Sequence, residues 1–381
     1  MVEQALNGKT IVLASNGYGA DGNAEAMLEY LRRNGAGEIW VLKHPLLESP
    51  THEGVHTLTV YRGHEVSVHT AKAPHRAPFT YVFDAFLPRL PKKRIDLWLG
   101  FGPNNVMRGM LYKLRSSVAR VGYVCVDYTP DRFGSKSPMT RLYSGIDRLA
   151  CTKADLIWPI SQASHDERMR VLGLSPKARV RVVPMGAWLD RVPRVKRTQF
   201  AQPKIVFLGG LIEKQGVQVV LDAIARLPEE YTLSVIGRGP YEQALKDQTE
   251  ALGLSHRVVF HGFVADHKDV ESLLAEGTVA VACYSPEMAS FSRFSDPGKI
   301  KAYLGAGLPV VLTDVSPNAR EVAATAGGVL CTYDAESVAA SILTVHASEQ
   351  AWATRVEAAQ EYMKQFDWQT LLRAAFEEAL S

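Results

Sequence analysis

Short apolar runs rich in β-branched residues alternate along this 381-residue chain with longer amphipathic stretches. The alternation runs through once, breaks, and starts again. That pattern marks parallel sheets covered by helices, because each strand is buried on both faces and each crossover between parallel strands needs a helix. In the first pass 10–14, 38–42, 95–99, 121–126, 154–159 and 179–184 read as strands, with a helix over 23–34. In the second pass the strands are 204–208, 231–236, 258–260, 279–283 and 310–312, and the helices 216–227, 241–252, 334–346 and 349–364. Between them DRVPRVKRTQFAQP, residues 190–203, is polar, basic and proline-bearing, the composition of an interdomain linker. A chain of this length exceeds one ordinary core. The expected division is a first α/β domain over 1–190, a linker over 191–203 and a second α/β domain over 204–362.

Composition narrows the class. A net charge of +3 is too mild to imply nucleic acid. The basic run Arg89-Leu-Pro-Lys92-Lys93-Arg94 is a candidate for peripheral contact with an anionic membrane surface, against the plainer reading of a solvated loop. No stretch has the apolar length of a membrane span, and the first residues lack a signal-peptide pattern, so a cytoplasmic protein is expected. Cys125, Cys151, Cys283 and Cys331 form no CxxC pair and read as buried or idle thiols. Eleven histidines contain no HxH or HExxH arrangement, and there is no DxD box, so neither a metal nor another cofactor is expected.

Ligands of open α/β sheets sit beyond the carboxyl ends of the strands, where helix N-termini offer free N–H groups and partial positive charge. Three glycine turns fall at such places. They are Ser15-Asn-Gly17-Tyr18-Gly19-Ala-Asp-Gly22, Gly209-Gly210-Leu-Ile-Glu-Lys214-Gln-Gly216 and Ile236-Gly237-Arg238-Gly239-Pro240. Glycine permits close backbone approach to a ligand, and it equally permits tight turns. The segment from Phe294 to Asp314 reads as a loop, a helix starting near Pro297, a glycine stop and a buried strand. In it Asp296 suits the N-cap and Pro297 the first helical position. Lys299 then falls in the first turn, where a cation opposes the helix dipole unless an anion is bound. Trp98, Trp158 and Trp188 read as core, and His261 as a satisfied rim residue.

The order of these motifs resembles family 4 of the glycosyltransferases, the retaining group with the GT-B fold. The matching pieces are the 209–216 loop, Val235-Ile-Gly-Arg-Gly-Pro240, Val259-Phe-His-Gly262-Phe263-Val264, and a DPxK box at Asp296–Lys299 leading into the GxPVV strand Gly307–Val311. Asp127-Tyr-Thr-Pro-Asp-Arg132-Phe133 resembles a segment of the same subgroup, and Phe366-Asp-Trp368 the start of the closing helix. The resemblance implies two Rossmann-like domains facing across a cleft, with a C-terminal helix over 363–381 crossing back onto the first domain. It implies transfer of a hexose-type unit from a nucleotide sugar to a hydroxyl of a glycan or lipid-linked acceptor, as in cell-envelope glycan synthesis. Donor contacts are expected from Gly209, Gly210, Lys214, Gly237, Arg238, Gly239, Phe263, Glu287, Asp296, Lys299 and Glu321, with Lys301 as a further cation. Gly17, Tyr18, Gly19 and Arg132 would touch the acceptor, and Asp127 would orient its hydroxyl or act as general base. For several of these a plainer role stands beside the functional one: Asp127 as a loop cap, Phe263 as core, Glu321 as an exposed helix residue.

Three positions depart from the family pattern. Gly210 and Gln215 stand where Arg and Lys are usual, and Ala302 stands where a ribose-binding glutamate is usual. The alternative reading is therefore a pseudo-glycosyltransferase that binds a ligand or partner without turnover.

Overall fold

A computed structural model describes residues 6–17, 22–45, 54–73, 83–126, 128, 133–134, 136–175, 179–287 and 293–381. The chain divides into two units, Met1–Pro184 with Gln369–Ser381, and Met185–Trp368.

The first unit is built on an eight-stranded sheet. Its strands are β1 (Thr10–Asn16), β2 (Glu38–His44), β3 (Val55–Arg62), β4 (Glu65–Lys72), β5 (Ile95–Phe101), β6 (Val118–Cys125), β7 (Leu156–Pro159) and β8 (Arg179–Val180), in the order β4-β3-β2-β1-β5-β6-β7-β8. The pairs from β2 through β8 are parallel, whereas β2–β3 and β3–β4 are antiparallel. The β3–β4 hairpin has no counterpart in the sequence expectation. Its signal was present: β3 is buried on alternate residues, and Gly63 turns the chain at φ +56°. Trp98 and Trp158 are core, as read from sequence.

The helix Trp368–Leu380 begins at the expected tryptophan. Its stripe Leu372, Ala375, Phe376 and Ala379 is fully buried, at the spacing of one helix face. Phe376 stacks on Tyr30 at 5.4 Å and meets Trp158 edge-on at 5.5 Å. Arg120 Nη1 donates to the Ala379 carbonyl at 2.8 Å, and Arg181 pairs with Glu378. The last helix is thus a wall of the first unit's core.

The second unit carries a six-stranded parallel sheet. It contains β9 (Lys204–Leu208), β10 (Thr232–Ile236), β11 (Val258–Gly262), β12 (Val279–Ala282), β13 (Val310–Thr313) and β14 (Val329–Cys331), in the order β11-β10-β9-β12-β13-β14. Valine, isoleucine and leucine dominate these strands, and β12 and β13 are buried at every position. The segment expected as a linker is packed chain. Val192 and Val195 are buried in this unit's core, and the Val195 N–H donates to the Ala306 carbonyl at 2.9 Å. Phe200 stacks on His346 at 4.1 Å from within the short helix Arg197–Ala201. The flanking charges hid these three apolar anchors, and the boundary falls after Pro184 rather than near 190.

Candidate functional site

At the carboxyl end of the second sheet, β11, β10 and β9 are neighbours, so the loops that follow them lie side by side. They are stitched together by backbone bonds. Gly209 N–H donates to Ile236 O, Leu211 N–H to Arg238 O and Gly237 N–H to Gly262 O, each at 2.9 Å. The approach is so close that only glycine fits. A Cβ on Gly237 would lie 2.0 Å from the Gly209 carbonyl oxygen, and one on Gly239 2.2 Å from that of Leu211.

Lys299 reaches this floor from the first turn of the helix Gly298–Gly305. Its ammonium lies 3.1 Å from where a Gly209 Cβ would stand. It donates to Gln215 Oε1 at 2.5 Å and sits 4.3 Å from the Phe207 ring centre and 4.9 Å from that of Tyr284. No carboxylate is bonded to it among the described residues, so burial against two rings pushes its pKa down to about 7. Gln215, which the sequence comparison counted as a lost cation, is the side chain that holds Lys299 in place. Phe207 and Tyr284 complete the enclosure, and sequence reasoning had no signal for either beyond their strand-end positions.

The rest of the predicted set separates by place. Arg238 is exposed, with its guanidinium 3.2 Å from the position of a Gly262 Cβ. Phe263, next in the chain, is 67% exposed, which removes the core reading. Gly210 faces the same turn, and the Lys214 carbonyl accepts from the Ser285 N–H at 3.1 Å, tying the first glycine loop to the strand-end loop that leads to the exposed Glu287.

Asp296 does not cap the helix. Pro297 is the N-cap, with no side-chain cap bond. The buried Asp296 carboxylate instead accepts from the Met185 N–H at 2.9 Å and from Asn318 Nδ2 at 3.0 Å, and lies 3.9 Å from Lys301 Nζ. Lys301 is the clearest correction. Two residues along a helix is about 200° of rotation, so it points away from Lys299. It is buried over the Phe366 ring at 3.1 Å. Burial lowers its pKa, opposed by Asp296 and Glu321, the latter an exposed residue of the helix Ala319–Thr325. Ala302 packs against the core, as its side chain requires.

In the first unit Gly17 donates its N–H to the His44 carbonyl at 2.9 Å, at the end of β1. Tyr18, Gly19, Asp127 and Arg132 lie outside the described residues. Beneath that strand end is a buried polar cluster. Asn16 Nδ2 donates to Asp84 Oδ2 at 2.8 Å, and Asn105 Nδ2 donates to Asn16 Oδ1 at 2.7 Å. Arg108 donates to the carbonyls of Asp84, Leu87 and Pro88 at 3.0, 2.5 and 2.7 Å. His44 and His56 meet Nδ1 to Nδ1 at 3.0 Å beside Asp84. In the basic run, Lys93 is ion-paired with Glu38.

Residues 202–348 match the family model described as Glycosyl transferases group 1. No curated protein sequence matches the chain. Among solved structures it is similar to sucrose-phosphate synthase from Thermosynechococcus elongatus, at 16% identity and a TM-score of 0.71 over 97% of this chain and 98% of that one. It is similar to Anabaena HepE in complex with UDP and glucose, at 17% identity and a TM-score of 0.70 over 98% and 99%. It is also similar to WaaG, a glycosyltransferase involved in lipopolysaccharide biosynthesis, at 15% identity and a TM-score of 0.65 over 97% and 99%. The stretch that matches the group 1 glycosyl transferase model thus lies within the second unit, and the chain has the GT-B fold, two Rossmann-like α/β units.

Proposed function

We propose that the protein is a metal-independent, retaining glycosyltransferase that takes a hexose from a uridine-diphosphate sugar and passes it to a hydroxyl of a glycan or lipid-linked acceptor. The observation that carries this reading is the lysine on the glycine floor: Lys299 enclosed by Phe207 and Tyr284, bonded to Gln215, over Gly209. A departing nucleoside diphosphate develops negative charge. A preorganised ammonium and adjacent helix N-terminal amides stabilise it without reorganising at the moment of bond cleavage. Arg238 and Phe263, exposed beside Gly262, suit the outer phosphate and a base lying on an aromatic face. Glu287 is proposed to meet the sugar hydroxyls, and the first unit to bind the acceptor through the loop that begins at Gly17, with Asp127 orienting its hydroxyl. The uridine assignment draws on HepE, solved with UDP and glucose, and the envelope-glycan acceptor on WaaG.

Ala302 keeps the second reading in play, because no carboxylate stands there to hold a ribose. Release of UDP from UDP-glucose and related donors, with and without a glycan acceptor, separates the two. Turnover that requires acceptor supports transfer. Tight UDP binding with no release over the whole donor panel would establish the pseudo-enzyme instead.

A further inference from the structure

The cluster beneath the end of the first sheet holds more than hydrogen bonds. His44 closes β2, and His56 stands opposite it on antiparallel β3, next in register after the Lys43–Thr57 pair. Asp84 comes from the turn at 83–87. The two Nδ1 atoms are 3.0 Å apart, and Asp84 Oδ1 is 3.8 Å from that of His44 and 3.6 Å from that of His56. A triangle with these edges has its centre about 2.0 Å from every corner, the length of a zinc bond to imidazole nitrogen or carboxylate oxygen. The three side chains are at most 1% exposed, and they form the metal-competent group found among the described residues.

Two further observations point the same way. Asp84 Oδ1 accepts no hydrogen bond among the described residues although it is fully buried, a condition native structures seldom leave standing. Its other oxygen is fixed by Asn16, which Asn105 fixes in turn. A ligating carboxylate is characteristically oriented this way by a second layer of donors.

We propose that His44 Nδ1, His56 Nδ1 and Asp84 Oδ1 form a site for a divalent late first-row metal ion, zinc above all, that ties β2, β3 and the 83–87 turn together. Two imidazoles with one carboxylate are a borderline-soft set that suits zinc. Magnesium and calcium call for oxygen alone. The ion would be structural and would belong to the first unit, whereas the diphosphate chemistry proposed above rests on Lys299 of the second. Arg108, 3.4 Å from His44 Nε2, opposes a dication. Its guanidinium is held away by three carbonyls, and it sets the affinity below that of a site ringed by carboxylates. Motif searching misses the site because its ligands stand 12 and 28 residues apart on different elements.

The test uses the full-length protein. Purified chain should retain stoichiometric zinc, melt at a higher temperature with Zn²⁺ than with chelator, and show no such rise with Mg²⁺. Metal-free protein titrated with Co²⁺ should develop the visible d–d absorption of a low-coordinate site, abolished by competing Zn²⁺. Asp84→Asn and His56→Gln should lose both the retained zinc and the absorption. Should either variant fail to fold, the Co²⁺ titration of the unmodified chain still decides. No absorption and no zinc-dependent melting shift would overturn the proposal and leave an Nδ1–Nδ1 hydrogen bond between the two histidines. Zinc retained equally by folded variants would overturn it as well, by placing the ion elsewhere.

Discussion

The two units end their parallel strands in opposite ways. The first fills the carboxyl end of its sheet with side chains bonded to one another, Asn16, Asn105 and Asp84 in one chain of bonds and Arg108 across three carbonyls, and leaves Asp84 Oδ1 without a donor among the described residues. The second strips side chains away. Gly209, Gly237, Gly239 and Gly262 leave a backbone floor, and one lysine, bonded among the described residues to the Gln215 amide, overhangs it. One architecture has been used to bury a bonded polar network and also to hold a buried cation with no carboxylate bonded to it among the described residues. The difference shows where binding energy is stored, because a cation already desolvated gives up little on meeting an anion.

The largest test of that contrast is Lys299→Ala. Donor turnover should fall by about a hundredfold to a thousandfold, the range for removing one preorganised charge-stabilising donor, while the melting temperature holds or rises. Turnover unchanged by the substitution would mean that the floor, not the lysine, carries the diphosphate. The mirror experiment is Arg108→Met in the first unit. It strands several buried carbonyls and removes a buried cation, so a loss of about 3 kcal/mol is expected. Hydrogen exchange should show the lost protection in peptides of the first unit alone. If peptides of 204–368 lose protection equally, the two units do not unfold independently.

Acidity gives a third test. Burial depresses the Lys299 pKa from its ordinary value to about 7, and a bound anion raises it again. Below about 7 the free protein already carries the charge. Above it, each binding event takes up a proton, so UDP-glucose affinity should weaken by up to about tenfold per pH unit. Calorimetry from about pH 6 to about pH 9 reads this slope, and Lys299→Arg should flatten it. A flat profile in the unmodified chain contradicts the enclosure described above. The smallest effect is expected from Phe263→Ala: a several-fold loss of UDP affinity, about 1 kcal/mol, as for one aromatic face. Its 67% exposure predicts no change in melting temperature.

Much of this was legible in the chain. Strand cores such as 204–208 and 279–282 declare themselves by apolar runs, and the Ser348 and Asp334 caps fix helix starts to within a residue. Glycine turns marked the floor, and its place in the first helical turn, against the dipole, singled out Lys299. What failed depended on side chains meeting across the fold. Asp296 was a plausible cap by position, but Met185 and Asn318 claim its carboxylate. Lys301 was counted with Lys299 for its charge, although two residues of helix send it to the opposite face. The His44, His56 and Asp84 group has no sequence signature, because register between β2 and β3 creates it.

The placement of Trp368–Leu380 has a consequence for synthesis. The first unit is assembled from two segments that flank the second in sequence, with Phe376 closing the core around Tyr30 and Trp158. Translation delivers the closing segment, Gln369–Ser381, only after all of 185–368 has been made. Domains usually mature in the order in which they are translated. Here the unit translated second can be complete while the first still waits for its wall, so maturation runs against the direction of the ribosome.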